Sequence, residues 1–135
     1  MQSYISREQD YALRISARLA SLNPGEHISV RELSKQLFVS KNFAARIVHK
    51  LILKGIFSSR QGNKGGVFLN LPANEINLLQ ILDAIGFKMK FNQCLHEEID
   101  CQLMEFCKFH SFFHLQESSI HKSLQDKKLS DFVIK

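Results

Sequence analysis

SKNFAARIVHKLILKG, residues 40–55, carries two patterns at once. Phe43, Ala44, Ile47, Val48 and Leu51 recur at i, i+1, i+4, i+5 and i+8, which is one apolar face of an α-helix. Lys41, Asn42, Ala45, Arg46, His49 and Lys50 fill the remainder, a basic and polar face without an acid. Ser40 stands where a helix is capped and Gly55 where one ends, so the spacing predicts a helix running to about Lys54. An amphipathic surface helix ordinarily mixes both signs of charge, whereas an acid-free face suits a helix lying in the major groove of DNA.

The flanks agree with that reading. Upstream, Ser29-Val30-Arg31-Glu32 has the form of a capping box, and Val30, Leu33 and Leu37 mark a short helix ending near Phe38. Two helices joined by the tight Phe38-Val39 break make a helix-turn-helix. Downstream, the strand-like segments Ile56–Ser59 and Val67–Leu71 flank the basic, glycine-rich turn Arg60-Gln61-Gly62-Asn63-Lys64-Gly65-Gly66, a β-hairpin wing. A phosphate-binding loop is excluded here because its strand-loop-helix context and Lys-Ser/Thr ending are missing. The expected fold is mainly α with a small β-hairpin, a winged helix-turn-helix. DNA is expected to meet Ser40, Lys41, Asn42, Arg46 and Lys50 on the helix, with Lys41, Asn42 and Arg46 reaching base edges, and phosphates to meet Arg60, Asn63 and Lys64 on the wing.

Before these elements, Ser6-Arg7-Glu8-Gln9 forms another capping box. Leu13, Ala17 and Ala20, with Ile15 and Leu19 beside them, predict a first helix over about 7–22, stopped at Asn23-Pro24-Gly25. Charge follows the same division. Residues 1–73 hold 11 Lys+Arg against 4 Asp+Glu, and residues 74–135 hold 7 against 9. A basic module, 1–73, is thus joined to a near-neutral one, 74–135, as expected of a polyanion-binding unit coupled to a sensing or assembly unit. With 44% hydrophobic residues in 135 the chain can form a core. Neither an apolar run of membrane-spanning length nor a leader pattern is present, so the expectation is a cytoplasmic protein with reduced thiols and no membrane partner.

In the second region, Asn74–Asn77 precedes an apolar helix over Leu78–Ile85 that Gly86 stops. From about Leu103 to Leu124 the chain again reads as helical, with Leu103, Phe106, Phe109, Phe113 and Ile120 as a stripe suited to a dimer interface. Between them CLHEEIDCQLMEFC, residues 94–107, holds all 3 cysteines of the chain, Cys94, Cys101 and Cys107. Their spacing is not that of a zinc knuckle. Thiolates suit zinc, copper(I) or an iron-sulfur cluster, and an odd set of thiols also suits redox chemistry, so residue type leaves these open. A thiol or metal enzyme is the weaker alternative, because no Cys-x-x-Cys, Ser-His-Asp set or nucleotide fingerprint accompanies the cysteines, and the chain is read as not an enzyme.

Taken together, Asp10-Tyr11-Ala12-Leu13-Arg14, Ser40-Lys41-Asn42-Phe43, Arg60–Val67, Ile76-Asn77-Leu78 and Cys-x6-Cys-x5-Cys resemble the Rrf-two (Rrf2) family of winged-helix transcriptional regulators, with IscR-, NsrR- and RirA-like iron-sulfur sensors among its members. The resemblance covers nearly the whole chain. It implies a homodimeric regulator of a palindromic double-stranded operator, acting as a repressor, with long C-terminal helices crossing at the dimer interface. It further implies one iron-sulfur cluster per subunit, of the 4Fe-4S or 2Fe-2S type, held in a loop over about 90–108 by Cys94, Cys101 and Cys107. A cysteine-based redox regulator or a zinc-stabilised winged helix without a cluster is the alternative. For the fourth ligand the resemblance offers Asp10 of the partner subunit or His110, and the NsrR-like and RirA-like character of the cysteine segment favours Asp10.

Overall fold

A computed structural model describes residues 4–95 and 101–135 of the chain. Residues 96–100, part of the loop expected over 90–108, lie outside the described residues. Helix α1, Arg7–Leu19, opens with the expected capping box. The Gln9 N–H donates to Ser6 Oγ at 3.1 Å, and the Ser6 N–H donates to Gln9 Oε1 at 3.0 Å. It ends before the expected 22 because the chain tightens into i to i+3 turns, Ser21 N–H to Arg18 carbonyl and Leu22 N–H to Leu19 carbonyl.

Helix α2 spans Val30–Gln36 and α3 spans Lys41–Leu53. Only half of the second expected capping box forms. Ser29 Oγ accepts the Glu32 N–H at 3.1 Å, but the Glu32 carboxylate turns forward to accept from Gln36 Nε2 at 3.1 Å. The turn between the two helices is a Schellman closure. Val39 N–H reaches the Ser34 carbonyl at 3.0 Å, Phe38 N–H reaches that of Lys35 at 3.4 Å, and Phe38 takes φ +58°. Ser40 then caps α3 by accepting the Phe43 N–H at 3.1 Å.

Strands β1, Phe57–Arg60, and β2, Gly66–Leu69, pair antiparallel with Phe57 opposite Leu69 and Arg60 opposite Gly66. An isolated bridge between Ile28 and Val67 adds a third, minimal strand beside β2. Helix α4 covers Leu78–Ala84 and α5 covers Lys108–Asp126. The expected start of the last helix near Leu103 is corrected. Met104–Phe106 winds as a 3-10 turn, and Cys107, with φ −88° and ψ 104°, breaks it from α5.

The core gathers Ala12, Ile15, Leu19, Leu33, Ala44, Ile47, Leu51, Phe57, Val67, Ile76, Ile81 and Leu129, all within 3% of full burial. Both regions of the sequence therefore line one core. The C-terminus closes it: Leu129 N–H donates to the Ile76 carbonyl at 2.8 Å, and Ile134 N–H donates to that of Ala17 at 2.9 Å. Among the described residues no helix is long and apolar enough to cross a membrane.

Candidate nucleic-acid interface and thiol site

The four buried residues of α3, Ala44, Ile47, Val48 and Leu51, fix which side of the helix faces outward. Lys41, Asn42, Arg46 and His49 are exposed there, and Lys50 is half-buried. Ser40 spends its oxygen on the cap, which leaves its O–H as a donor. Phe43, read as part of the apolar face, is only half-buried and meets the Tyr11 ring edge-on at 5.7 Å. The guanidinium of Arg46 lies 5.7 Å from the Phe43 ring, and that of Arg7 lies 4.8 Å from it.

At the wing, Arg60, Gln61, Asn63 and Lys64 are all exposed, Arg60 closing β1 and the others forming the turn. The Gly65 N–H donates to the Gly62 carbonyl at 3.0 Å and tightens that turn. One open groove runs between α3 and the wing, with Ala45, His49, Arg60 and Gln61 along it. His49 of the helix and Arg60 of the wing thus line one groove, whereas Lys41, Arg46 and Lys50 lie outside its lining. His49 and Gln61 were not singled out from sequence. The signal for His49 was its place three residues after Arg46 on the acid-free face.

One acid does reach this face, and it comes from α1. Glu8 Oε1 lies 2.5 Å from Lys50 Nζ, and Glu8 Oε2 lies 3.8 Å from Arg46 Nε. Two of the expected DNA contacts therefore start from an ion pair.

The thiols sit at the other end of the chain. Cys94 lies in the 3-10 turn Gln93–Leu95, Cys107 is the N-cap residue of α5, and all three cysteines are free and half-buried. His110 Nδ1 stands 3.4 Å from Cys94 Sγ. Cys107 also borders an apolar hollow lined by Leu103, Phe106 and Phe109. Asp10 is engaged elsewhere, its Oδ1 3.0 Å from Arg14 Nε on the same helix. Soft thiolates with an adjacent imidazole match the donor chemistry of an iron-sulfur or zinc site. Among the described residues Cys94 and His110 are drawn together, and no three such donors converge.

Residues 5–135 match the family model Rrf2, described as iron-dependent transcriptional regulator. A protein of Aquifex aeolicus (strain VF5) named as an HTH-type transcriptional regulator is 28% identical over 116 residues, covering 86% of this chain and 78% of its own. Two solved structures show the same fold. CymR (YrzC), the global cysteine regulator of B. subtilis, superposes with TM-score 0.79 at 18% identity over 97% of this chain and 95% of that one. T. potens IscR does so with TM-score 0.73 at 18% identity over 94% and 83%. A capped recognition helix, a basic wing and a family match spanning nearly every residue lead to one conclusion: this chain belongs to the Rrf2 family of DNA-binding transcriptional regulators.

Proposed function

We propose that this regulator acts as a homodimer on a palindromic operator, as a repressor, and that its DNA affinity is set by an iron-sulfur cluster held by Cys94, Cys101 and Cys107, one per subunit. The observation that carries the thiol assignment is the 3.4 Å approach of His110 Nδ1 to Cys94 Sγ across 16 residues of sequence. On that contact we assign the fourth position to His110. Asp10, the ligand the sequence favoured, would have to leave Arg14 and arrive from the partner subunit.

Bound there, a cluster supplies redox-active and ligand-reactive iron on soft donors. The chain supplies the linkage. Cys94 lies beyond α4 in the 3-10 turn Gln93–Leu95, and α5 starts from Cys107, so the arrangement of the thiols bears on how α5 leaves the body of the molecule. Helix α4 in turn shares the core with α1 and α3. Coupling requires only that the thiol arrangement differ in stability between DNA-competent and incompetent forms. Two recognition helices related by a two-fold axis would then meet half-sites about one helical turn apart, or a multiple of it.

Anaerobic purification with visible absorbance, iron and acid-labile sulfide assays tests the assignment. The expected result is a coloured protein containing iron and sulfide, with the colour weakened or short-lived in His110→Ala and kept in Asp10→Ala. Loss in Asp10→Ala alone would return the fourth position to Asp10. Colourless protein with stoichiometric zinc would instead support a Cys3His structural site, which the same Cys94–His110 contact also favours.

A further inference from the structure

The outward face of α3 contains no acid of its own, so the carboxylate that α1 inserts beside it is conspicuous. Glu8 has a side chain only 23% exposed, whereas those of Arg46 and Lys50 are 59% and 44% exposed. Its backbone is fixed twice over. Glu8 lies between the two partners of the Ser6–Gln9 capping box, and Gln9 Nε2 donates to the Ile85 carbonyl at 3.4 Å. Arg46 is in turn held between Glu8 and the Phe43 ring.

We propose that Glu8 is a specificity-determining residue of the DNA interface: a built-in carboxylate that competes with backbone phosphates for Lys50 and Arg46 and so restrains binding to arbitrary duplex. The inference rests on the DNA-binding reading of α3. Its physical basis is the counterion argument. A cation gives sequence-independent affinity by replacing the counterions condensed on phosphate, and a lysine already neutralised by a carboxylate contributes less to that exchange. The carboxylate also repels any phosphate that approaches without displacing it. A cognate site regains the loss because a base edge rewards an arginine held in one direction, and a random site does not. Glu8 thus lowers affinity for all DNA while lowering it most where nothing but phosphate is recognised.

The test is binding of the full-length wild type, Glu8→Gln and Glu8→Asp to a random-sequence duplex across a salt series. Glu8→Gln is expected to bind about fivefold more tightly at low salt, with a log affinity against log salt slope steeper by about one. Glu8→Asp, which keeps the charge but withdraws it, should move both readouts the same way by less. In the Glu8→Gln, Lys50→Met double variant the steepening should largely disappear, which ties the effect to the pair rather than to general charge. Equal affinity and slope in wild type and both Glu8 variants, or weaker binding by both, overturns the inference while leaving the DNA-binding reading intact. Absence of duplex binding by every variant, wild type included, overturns that reading itself.

Discussion

Phe38 is the one described residue other than glycine that takes positive φ, +58°, and its side chain is among the most exposed of the large apolar ones, at 91%. The helix-turn-helix geometry imposes this. A Schellman closure needs its residue after the cap in the left-handed region, a position glycine fills without strain and a Cβ-bearing residue fills at a cost of about 1–2 kcal/mol. The same closure recurs after α3 and α4 with Gly55 and Gly86 at the equivalent place. Since Phe38 buries little to offset its strain, Phe38→Gly should stabilise the chain by about 0.5–1 kcal/mol, the relief of strain less the entropy that glycine adds to the unfolded state. Urea unfolding measures it, and a lower midpoint would show that the exposed ring contributes packing that its accessibility conceals.

Among the elements, the wing depends on a close approach. Gly66 opens β2 opposite Arg60, and a Cβ placed on it would lie 2.6 Å from the carbonyl carbon and oxygen of Ile28. The Ile28–Val67 bridge, with hydrogen bonds of 3.1 and 2.8 Å, cannot persist at that separation. Gly66→Ala should therefore cost about 2 kcal/mol or more, seen as a lowered thermal midpoint, because the obstacle is backbone rather than a side chain that can swing away. The elements that the sequence made legible are those whose cause is local. The Ser6, Ser29 and Ser40 caps act within three residues, and the apolar stripe of α3 follows from its period. What stayed hidden depends on partners distant along the chain. Glu8 finds Lys50 across 42 residues, and Leu129 is fully buried only because the C-terminus returns to α1 and to the Ile76 turn. The apolar period over Leu103–Phe106 could not reveal the extended Cys107 that delays α5, and cysteine spacing named donors without showing that His110 comes to Cys94.

At the scale of the whole molecule, α5 is the element that the chain leaves unfinished. It runs 19 residues without a buried one. Phe113 turns inward to meet Phe91 at a ring distance of 5.5 Å, and Leu124 packs against the small cluster of Leu79, Leu82 and Phe87. Beside them Phe109, Phe112 and Leu115 stand exposed at 70%, 53% and 64%, at steps of three along the helix, with the Phe109 ring stacked on that of Phe113 at 6.1 Å. In the proposed homodimer a second copy of the same helix would cover these side chains, and a two-fold contact would bury each of them twice. Removing a large apolar side chain from such a contact forfeits about 1.5–3 kcal/mol, so Phe109→Asp with Leu115→Asp, counted over two chains, should forfeit about 6–12 kcal/mol before the added charge repulsion. That exceeds the difference between a nanomolar and a micromolar dimer, about 4 kcal/mol. The double variant should then run as a monomer by light scattering at concentrations where the wild type is dimeric. Its core should survive, because neither side chain belongs to that core. Operator binding should fall steeply in the same variant, since one recognition helix alone would read only half of the proposed palindrome. A wild-type chain that is already monomeric, or a double variant that stays dimeric, would remove α5 as the interface and require the exposed row to be explained by a different partner.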